Sequence, residues 1–203
     1  MFSRLIGRIC KVALDQIVTF VSALKINPNF ITLSGFLITL SAAYLLAQGE
    51  FFKAGILIIF SGVFDMLDGQ VARITRSVTR FGAFFDSVLD RYSDMAMFVG
   101  LMIYYAKSHR LGYLFLSGVV MMGSVMTSYT RARAESLIPL CKVGFMERPE
   151  RLVLLIIGTL ANRMAPVLWV MAFFSNLTVV HRIVYTWKEA ARLEKSSLEI
   201  QPH

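Results

Sequence analysis

The stretch Phe64–Asp94, FDMLDGQVARITRSVTRFGAFFDSVLDRYSD, places five aspartates in sequence that is otherwise apolar enough for a membrane. An ionised side chain near the bilayer centre costs about 2.5–3.5 kcal/mol on insertion scales, so each aspartate should face a wet or cation-rich cavity. Asp65 and Asp68 are three residues apart, and Asp86 and Asp90 are four apart. At that spacing each pair projects from one face of its helix.

A short connection joins the two acidic segments. The eight residues between Arg73 and Gly82 suffice for a turn that makes the flanking helices antiparallel and brings both acidic faces together. Carboxylates that meet repel one another unless positive charge compensates them. Their hard oxygen ligands predict Mg²⁺ or Mn²⁺, and the stretch contains no His or Cys for zinc. The alternative is a set of buried Asp–Arg networks that uses Arg73, Arg76, Arg80 and Arg91.

The rest of the chain has the composition of a membrane protein. Of its 203 residues 56% are hydrophobic and 17% charged, and a soluble protein of this length cannot enclose so many apolar side chains. About six windows approach the 20 residues that a spanning helix needs. They are roughly 29–49, 52–74, 84–107, 111–134, 149–163 and 165–188. The fifth has an apolar run of only Leu152–Ala161, so we expect it either to be extended by its polar flanks or to lie shielded among its neighbours.

The N-terminal segment differs from these windows because Arg4, Arg8 and Lys11 recur at helical spacing beside apolar residues. Such a pattern predicts an amphipathic helix at the membrane surface. A cleaved signal peptide is the alternative, but Asp15 interrupts the apolar stretch. We therefore expect one domain, 1–203, with an amphipathic helix at 1–27, a transmembrane bundle at 28–192 and a cytoplasmic tail at 193–203.

The distribution of basic residues predicts the orientation. Of the 21 Lys and Arg residues, all but four fall on one side of the predicted topology. The four on the other side are Lys53, Lys107, Arg110 and Arg163. By the positive-inside rule, both termini and the acidic stretch should face the cytoplasm, which for a bacterial chain means the inner membrane. The charged residues that give the net charge of +8 are separated by long apolar runs. This pattern therefore favours anionic lipid and phosphate over nucleic acid.

The acidic stretch closely resembles a known family signature. Asp65-x-x-Asp68-Gly69-x-x-Ala72-Arg73, eight residues, then Gly82-x-x-x-Asp86-x-x-x-Asp90 matches that of the CDP-alcohol phosphatidyltransferases. The resemblance implies a dimeric six-helix membrane enzyme in which a CDP-linked lipid donates its phosphatidyl group and CMP leaves. It also implies that the four aspartates hold divalent metal, with two ions expected, and that Asp90 acts as general base. Asp94 falls outside the signature, and we predict an ion pair or supporting role for it, with direct metal binding as the alternative.

The same resemblance implies a binding site for CDP-diacylglycerol. Asn29 and Thr32 occupy the place where the family contacts the cytidine nucleotide. An N-cap and first helical turn would explain these two residues equally well, and the two roles are compatible. The full predicted set is Asn29, Thr32, Asp65, Asp68, Gly69, Ala72, Arg73, Thr79 and Gly82.

Further segments resemble the bacterial phosphatidylinositol phosphate synthases of that family, among them Tyr129–Glu135, Glu147–Leu152 and His181-Arg182. This resemblance implies inositol 1-phosphate as acceptor, whose phosphate needs a cationic pocket. Guanidinium groups suit bidentate contact with phosphate. The predicted pocket contains Arg131, Arg133, Arg148, Arg151 and Arg182. Cytoplasmic topology and pairing with nearby glutamates is the alternative explanation for these arginines.

Two other functions remain open from the sequence. The same chemistry with glycerol 3-phosphate or free inositol as acceptor is one. A divalent-cation carrier is the other, but a carrier should expose ligands toward both membrane faces, whereas these charges gather toward one.

Overall fold

The computed structural model describes Val18 and residues 27–199, with side chains through residue 195. These residues form six α-helices and no strand. The helices are α1 Pro28–Gln48, α2 Phe51–Ile74, α3 Arg80–Lys107, α4 Leu111–Ala134, α5 Arg148–Leu160 and α6 Met164–Glu199. The all-α prediction is confirmed, and α6 continues well past its predicted end at residue 188. The predicted N-terminal amphipathic helix lies outside the described residues.

Short local signals set the helix ends that border the charged part of the molecule. The Asn27 side chain accepts from the Asn29 N–H at 3.0 Å, and Pro28 stands in the first turn of α1. Thr79 Oγ1 accepts from the Gly82 N–H at 2.9 Å and caps α3. These caps place the first turns of α1 and α3 side by side at one end of the bundle.

The outer surface of the bundle is that of a membrane protein. Three helices are long and apolar enough to cross a bilayer, namely Pro28–Gln48, Leu111–Ala134 and Met164–Lys195. Large apolar side chains such as Phe52, Phe115 and Trp169 are more than 60% exposed. The fifth helix has only 13 residues and packs between α2 and α6, as its short apolar run predicted.

The helix pairs in extensive contact form a closed ring in the order α1, α2, α5, α6, α4, α3. Its apolar core contains Leu46, Ile58, Phe98, Leu155 and Leu168, which come from five of the helices. Helices α1 and α3 cross closely at Gly100, where even a methyl group would overlap the Ala43 carbonyl oxygen. This packing turns the acidic faces of α2 and α3 toward each other.

Candidate active site

The larger cavity at the charged end has a volume of about 620 Å³ and lies among α1, α2 and α3. We call it the first cavity. Eight of the nine residues predicted to bind CDP-diacylglycerol line it: Asn29, Thr32, Asp68, Gly69, Ala72, Arg73, Thr79 and Gly82. Asp65 is the exception, and Asp86 is a further lining residue. The two halves of the sequence signature therefore meet around one space.

Two features of the first cavity are those of a surface built for a ligand. Asp68 is 5% exposed, yet its Oδ2 has no hydrogen-bond partner. A methyl group added at Gly69, which lies inside α2, would meet no heavy atom within 4 Å. Packing within the protein therefore does not require this glycine. It leaves open space beside an unpaired buried carboxylate oxygen.

A second cavity of about 390 Å³ lies among α3, α4, α5 and α6. Four of the five arginines predicted for the acceptor phosphate line it, namely Arg131, Arg148, Arg151 and Arg182. Asp90, the predicted general base, also lines this second cavity rather than the first. The structure therefore brings the predicted base and most of the predicted phosphate ligands together.

Arg148 lies between the two groups of aspartates. Its Nη2 donates to Asp65 Oδ2 at 2.6 Å and lies 2.9 Å from Asp90 Oδ1. Its Nε is buried without a partner. The four signature aspartates are thus divided. Asp68 and Asp86 face the first cavity, Asp90 faces the second, and Arg148 joins Asp65 to Asp90.

The donor set fits a hard divalent cation in chemistry. Within residues 27–195, no three His, Cys, Asp or Glu side chains already stand in an arrangement that could hold a metal ion. The aspartates nevertheless supply carboxylate oxygens from two facing helices, and one oxygen of Asp68 is buried and unpaired. Arg148 occupies one oxygen of Asp65 and one oxygen of Asp90, so while these contacts last the two carboxylates can offer a metal only their second oxygens.

The other arginines of the second cavity are held by groups outside the signature. Arg182 is 2% exposed and donates to the carbonyls of Val143 and Thr127 and, at 2.8 Å, to Glu147 Oε1. Arg131 pairs with Glu135 and with Glu147, each at 3.2 Å. These contacts fix the loop before α5 against α4 and α6.

Arg151 forms a buried ion pair. Its Nη2 lies 2.7 Å from Asp94 Oδ2, and Ser124 Oγ donates to the same oxygen at 2.8 Å. Both charged side chains are less than 10% exposed. The ion-pair role predicted for Asp94 is confirmed.

Arg133 does not line the second cavity. It lines a smaller cavity of about 200 Å³ with Tyr129, Trp187 and Arg182, so Arg182 borders both cavities, and Arg133 Nη1 lies 3.3 Å from Ser136 Oγ. Arg131 and Arg133 are two residues apart on α4, so they point to nearly opposite sides of that helix. Within the structure, Arg133 is therefore directed away from the predicted pocket.

Some lining residues were not singled out by the sequence argument. Thr75 and Ser77, in the turn between α2 and α3, line the first cavity, and their hydroxyl oxygens lie 2.6 Å apart. The sequence argument predicts this turn only as a connection between two helices. Its concentration of hydroxyl residues between the two halves of an acidic signature was the available signal.

Comparison with known proteins agrees with the signature. Residues 25–188 match the CDP-alcohol phosphatidyltransferase family. The chain is 37% identical over 167 residues to archaetidylinositol phosphate synthase of Methanothermobacter thermautotrophicus, which covers 79% of this chain and 83% of that protein. It is 31% identical over 184 residues to phosphatidylinositol phosphate synthase of Mycobacterium tuberculosis, with 85% of each covered.

Solved structures show the same fold. The crystal structure of the Mycobacterium tuberculosis synthase with CDP-DAG bound superimposes with a TM-score of 0.80 at 30% identity, over 86% of this chain and 93% of that chain. A structure of the same synthase in complex with manganese and citrate gives a TM-score of 0.79 at 30% identity, over 86% of this chain and 88% of that one.

Proposed function

The chain belongs to the CDP-alcohol phosphatidyltransferase family and is a transferase of that class, and from this premise we propose that it makes phosphatidylinositol phosphate. It would transfer the phosphatidyl group of CDP-diacylglycerol to a hydroxyl of inositol 1-phosphate and release CMP. One relative is named an archaetidylinositol phosphate synthase and the other a phosphatidylinositol phosphate synthase, so both names give an inositol phosphate lipid as the product and differ in the lipid part. The observation that carries the proposal is the pairing of a signature-lined cavity with an arginine-lined cavity across Asp65 and Asp90.

The first cavity is the proposed site of the CDP-linked lipid. Its lining contains eight of the nine donor residues that the signature implies. Its open space beside Gly69 accommodates a ligand backbone, and Thr32 and Asn29 lie at the capped start of α1. The CDP-DAG in the Mycobacterium tuberculosis structure supports this donor.

Asp65, Asp68, Asp86 and Asp90 are the residues that would hold divalent metal. The manganese in a related structure supports use of a divalent cation. We propose Mg²⁺ or Mn²⁺, with two ions. When bound, such ions neutralise charge on the pyrophosphate of the donor and on the CMP that leaves.

Asp90 is the proposed general base. Its carboxylate lines the second cavity, where the acceptor hydroxyl would lie. Asp90 takes the hydroxyl proton as the acceptor oxygen bonds to the lipid-side phosphorus, and the bond from that phosphorus to the CMP oxygen breaks. Arg131, Arg148, Arg151 and Arg182 would bind or support binding of the phosphate of the acceptor.

The placement in the cell is also a proposal. We infer a multi-pass protein of the inner membrane with six spans, an N-terminal surface helix, a cytoplasmic active site and a homodimeric assembly. The asymmetric distribution of Lys and Arg and the exposed apolar faces support it. We also propose that residues 1–203 form a single domain.

A panel of acceptors tests the reaction. Purified protein receives CDP-diacylglycerol and Mn²⁺ with inositol 1-phosphate, glycerol 3-phosphate or free inositol, and CMP release is measured for each. We expect CMP release with inositol 1-phosphate and little with the other two. Activity with glycerol 3-phosphate alone would keep the reaction class and refute the acceptor. A chelator-treated sample serves as the control for metal dependence.

A further inference from the structure

Arg148 has an unusual pair of partners for an arginine that is expected to bind a substrate phosphate. A single nitrogen, Nη2, contacts Asp65 Oδ2 at 2.6 Å and Asp90 Oδ1 at 2.9 Å. Both partners are carboxylates that the signature implies as metal ligands. The arginine therefore occupies the position of a counter-ion for half of the acidic set.

We propose that Arg148 is an exchangeable internal cation. It neutralises Asp65 and Asp90, and it is released to the acceptor phosphate when these carboxylates take a divalent cation. This inference rests on the proposed function. It adds to that function an order of binding, with the cation before the acceptor.

The exchange follows from the distances. A carboxylate oxygen that accepts a charge-assisted hydrogen bond at 2.6 Å has little room for a cation that binds oxygen at about 2.0–2.1 Å, as Mg²⁺ does. A guanidinium group and a divalent ion on the same oxygens would also repel each other strongly in a partly buried site. Arg148 and a metal ion are therefore alternatives at Asp65 Oδ2 and Asp90 Oδ1, and their mutual repulsion opposes binding of the ion at the second oxygen of either carboxylate.

Arg148 differs in this respect from the other arginines of the second cavity. Arg151 and Arg182 are 2% exposed and are held by Asp94, Glu147 and backbone carbonyls. Arg131 is held by two glutamates. The Arg148 side chain is 25% exposed, its Nε has no partner, and both of its ion-pair partners belong to the acidic signature. Arg91 also lines this cavity and lies 3.8 Å from Asp90 Oδ2, but among the arginines of the cavity only Arg148 contacts both Asp65 and Asp90, so its release depends on what those two aspartates bind.

Release of Arg148 has a nearby destination. The side chain already lines the second cavity together with Arg131 and Arg182. An acceptor phosphate would replace the two lost carboxylates as its partner through charge-assisted hydrogen bonds. Because binding linkage is reciprocal, the acceptor should then strengthen cation binding by the same factor by which the cation strengthens acceptor binding.

Titration with Mn²⁺ in the absence of any substrate tests the counter-ion role directly. Free Mn²⁺ is followed by its electron paramagnetic resonance signal in purified protein, with no readout of activity. Arg148→Gln should bind Mn²⁺ more tightly than the wild type, by a factor within the roughly 5–150-fold range of measured couplings between sites. Arg131→Gln is the matched control, because it removes a positive charge from the same cavity without contact to Asp65 or Asp90 in the structure.

The result that overturns the proposal is equal or weaker Mn²⁺ binding by Arg148→Gln. Equal tightening in Arg131→Gln would also overturn it, because the effect would then be one of overall charge. If Arg148→Gln does not elute as a folded protein, Arg148→Lys replaces it. Lysine keeps the charge but loses the planar fork, so tighter Mn²⁺ binding than in the wild type is again expected, to a smaller extent.

Binding of inositol 1-phosphate, measured by equilibrium dialysis, tests the second half. In the wild type, Mn²⁺ should strengthen this binding, and the factor should shrink in the Arg148 variant. An unchanged factor would mean that the coupling does not pass through Arg148 and would refute its release. Failure of inositol 1-phosphate to bind at any Mn²⁺ concentration would refute the proposed acceptor, while the Mn²⁺ titration would still decide the counter-ion role.

Discussion

The two cavities differ in how their charges are satisfied before any ligand binds. In the first cavity Asp68 keeps a buried oxygen without a partner, and Gly69 leaves open space. In the second cavity, arginines are already paired with acids, among them Arg182 with Glu147 at 2.8 Å. A ligand of the first cavity can supply the missing charge directly. A ligand of the second cavity has to replace an acidic partner of an arginine. Its binding therefore depends on what the neighbouring aspartates bind.

The largest effect should come from the acids of the first cavity. Asp68→Asn and Asp86→Asn should each lower CMP release by about a thousandfold or more, because metal ligation is worth several kcal/mol of transition-state stabilisation. Glu50→Gln is the control, since Glu50 pairs with Lys53 on the exposed surface at the start of α2. Undiminished CMP release in either aspartate variant would show that the first cavity is not the donor site.

The next effect separates the cavities by role. Asp90→Asn should lower turnover by on the order of a hundredfold, as expected for loss of a general base, with little change in affinity for CMP. The reason is that Asp90 lines the second cavity and not the first. Turnover and CMP affinity are measured on the same preparation. A parallel collapse of both would make Asp90 chiefly a metal ligand.

A smaller effect tests which arginines belong to the second cavity. Arg131→Ala should raise the KM for inositol 1-phosphate by about tenfold, the value of one charge-assisted contact, and leave the KM for the donor unchanged. Arg133→Ala removes the same charge two residues away and should change neither, because Arg133 lines a different cavity. If the two variants behaved alike, the result would instead support the prediction that Arg133 binds the acceptor phosphate.

The smallest effect concerns the open space beside Gly69. Gly69→Ala should raise the donor KM several-fold while the protein stays at least as stable, because alanine favours a helix interior by about 0.5–1 kcal/mol over glycine. Gly112→Ala is the matched control, since a methyl group there also meets no neighbour and Gly112 lies at the opposite end of α4 from Arg131. Thermal unfolding and donor kinetics are compared for both. Normal donor binding by Gly69→Ala would remove that space from the proposed site.

Much of the fold was predictable because the membrane imposes a length on each helix. The six windows appear in the predicted order, and the short apolar run after Leu152 became the short, enclosed α5. The start of α3 was less predictable, because the helix begins at Arg80, where Thr79 caps it by accepting from the Gly82 N–H, rather than near residue 84. The length of α6 was not predictable, because polar residues past residue 188 can continue a helix as readily as they can end one.

The contents of the first cavity were predictable for a similar reason. Its predicted residues lie mostly three or four apart on α1, on α2 and at the start of α3, so helical geometry places each set on one face of its helix. The second cavity is built from α3, α4, α5 and α6 and from a loop, and no local spacing relates its arginines. The sequence therefore grouped Arg133 with Arg131, and it did not assign Glu147 as the shared partner of Arg131 and Arg182.

By itself the sequence determined a helical membrane protein, from its composition and apolar windows, and the family and transferase class, from the resemblance of the stretch with the four aspartates to a known signature. Only the tertiary structure decided how those residues are divided. It placed Asp68 and Asp86 in one cavity and Asp90 in another, and it placed Arg148 between Asp65 and Asp90. The physical reason is that α5 brings Arg148 to Asp65 from 83 residues away, and only the packing of α5 against α2 sets that contact.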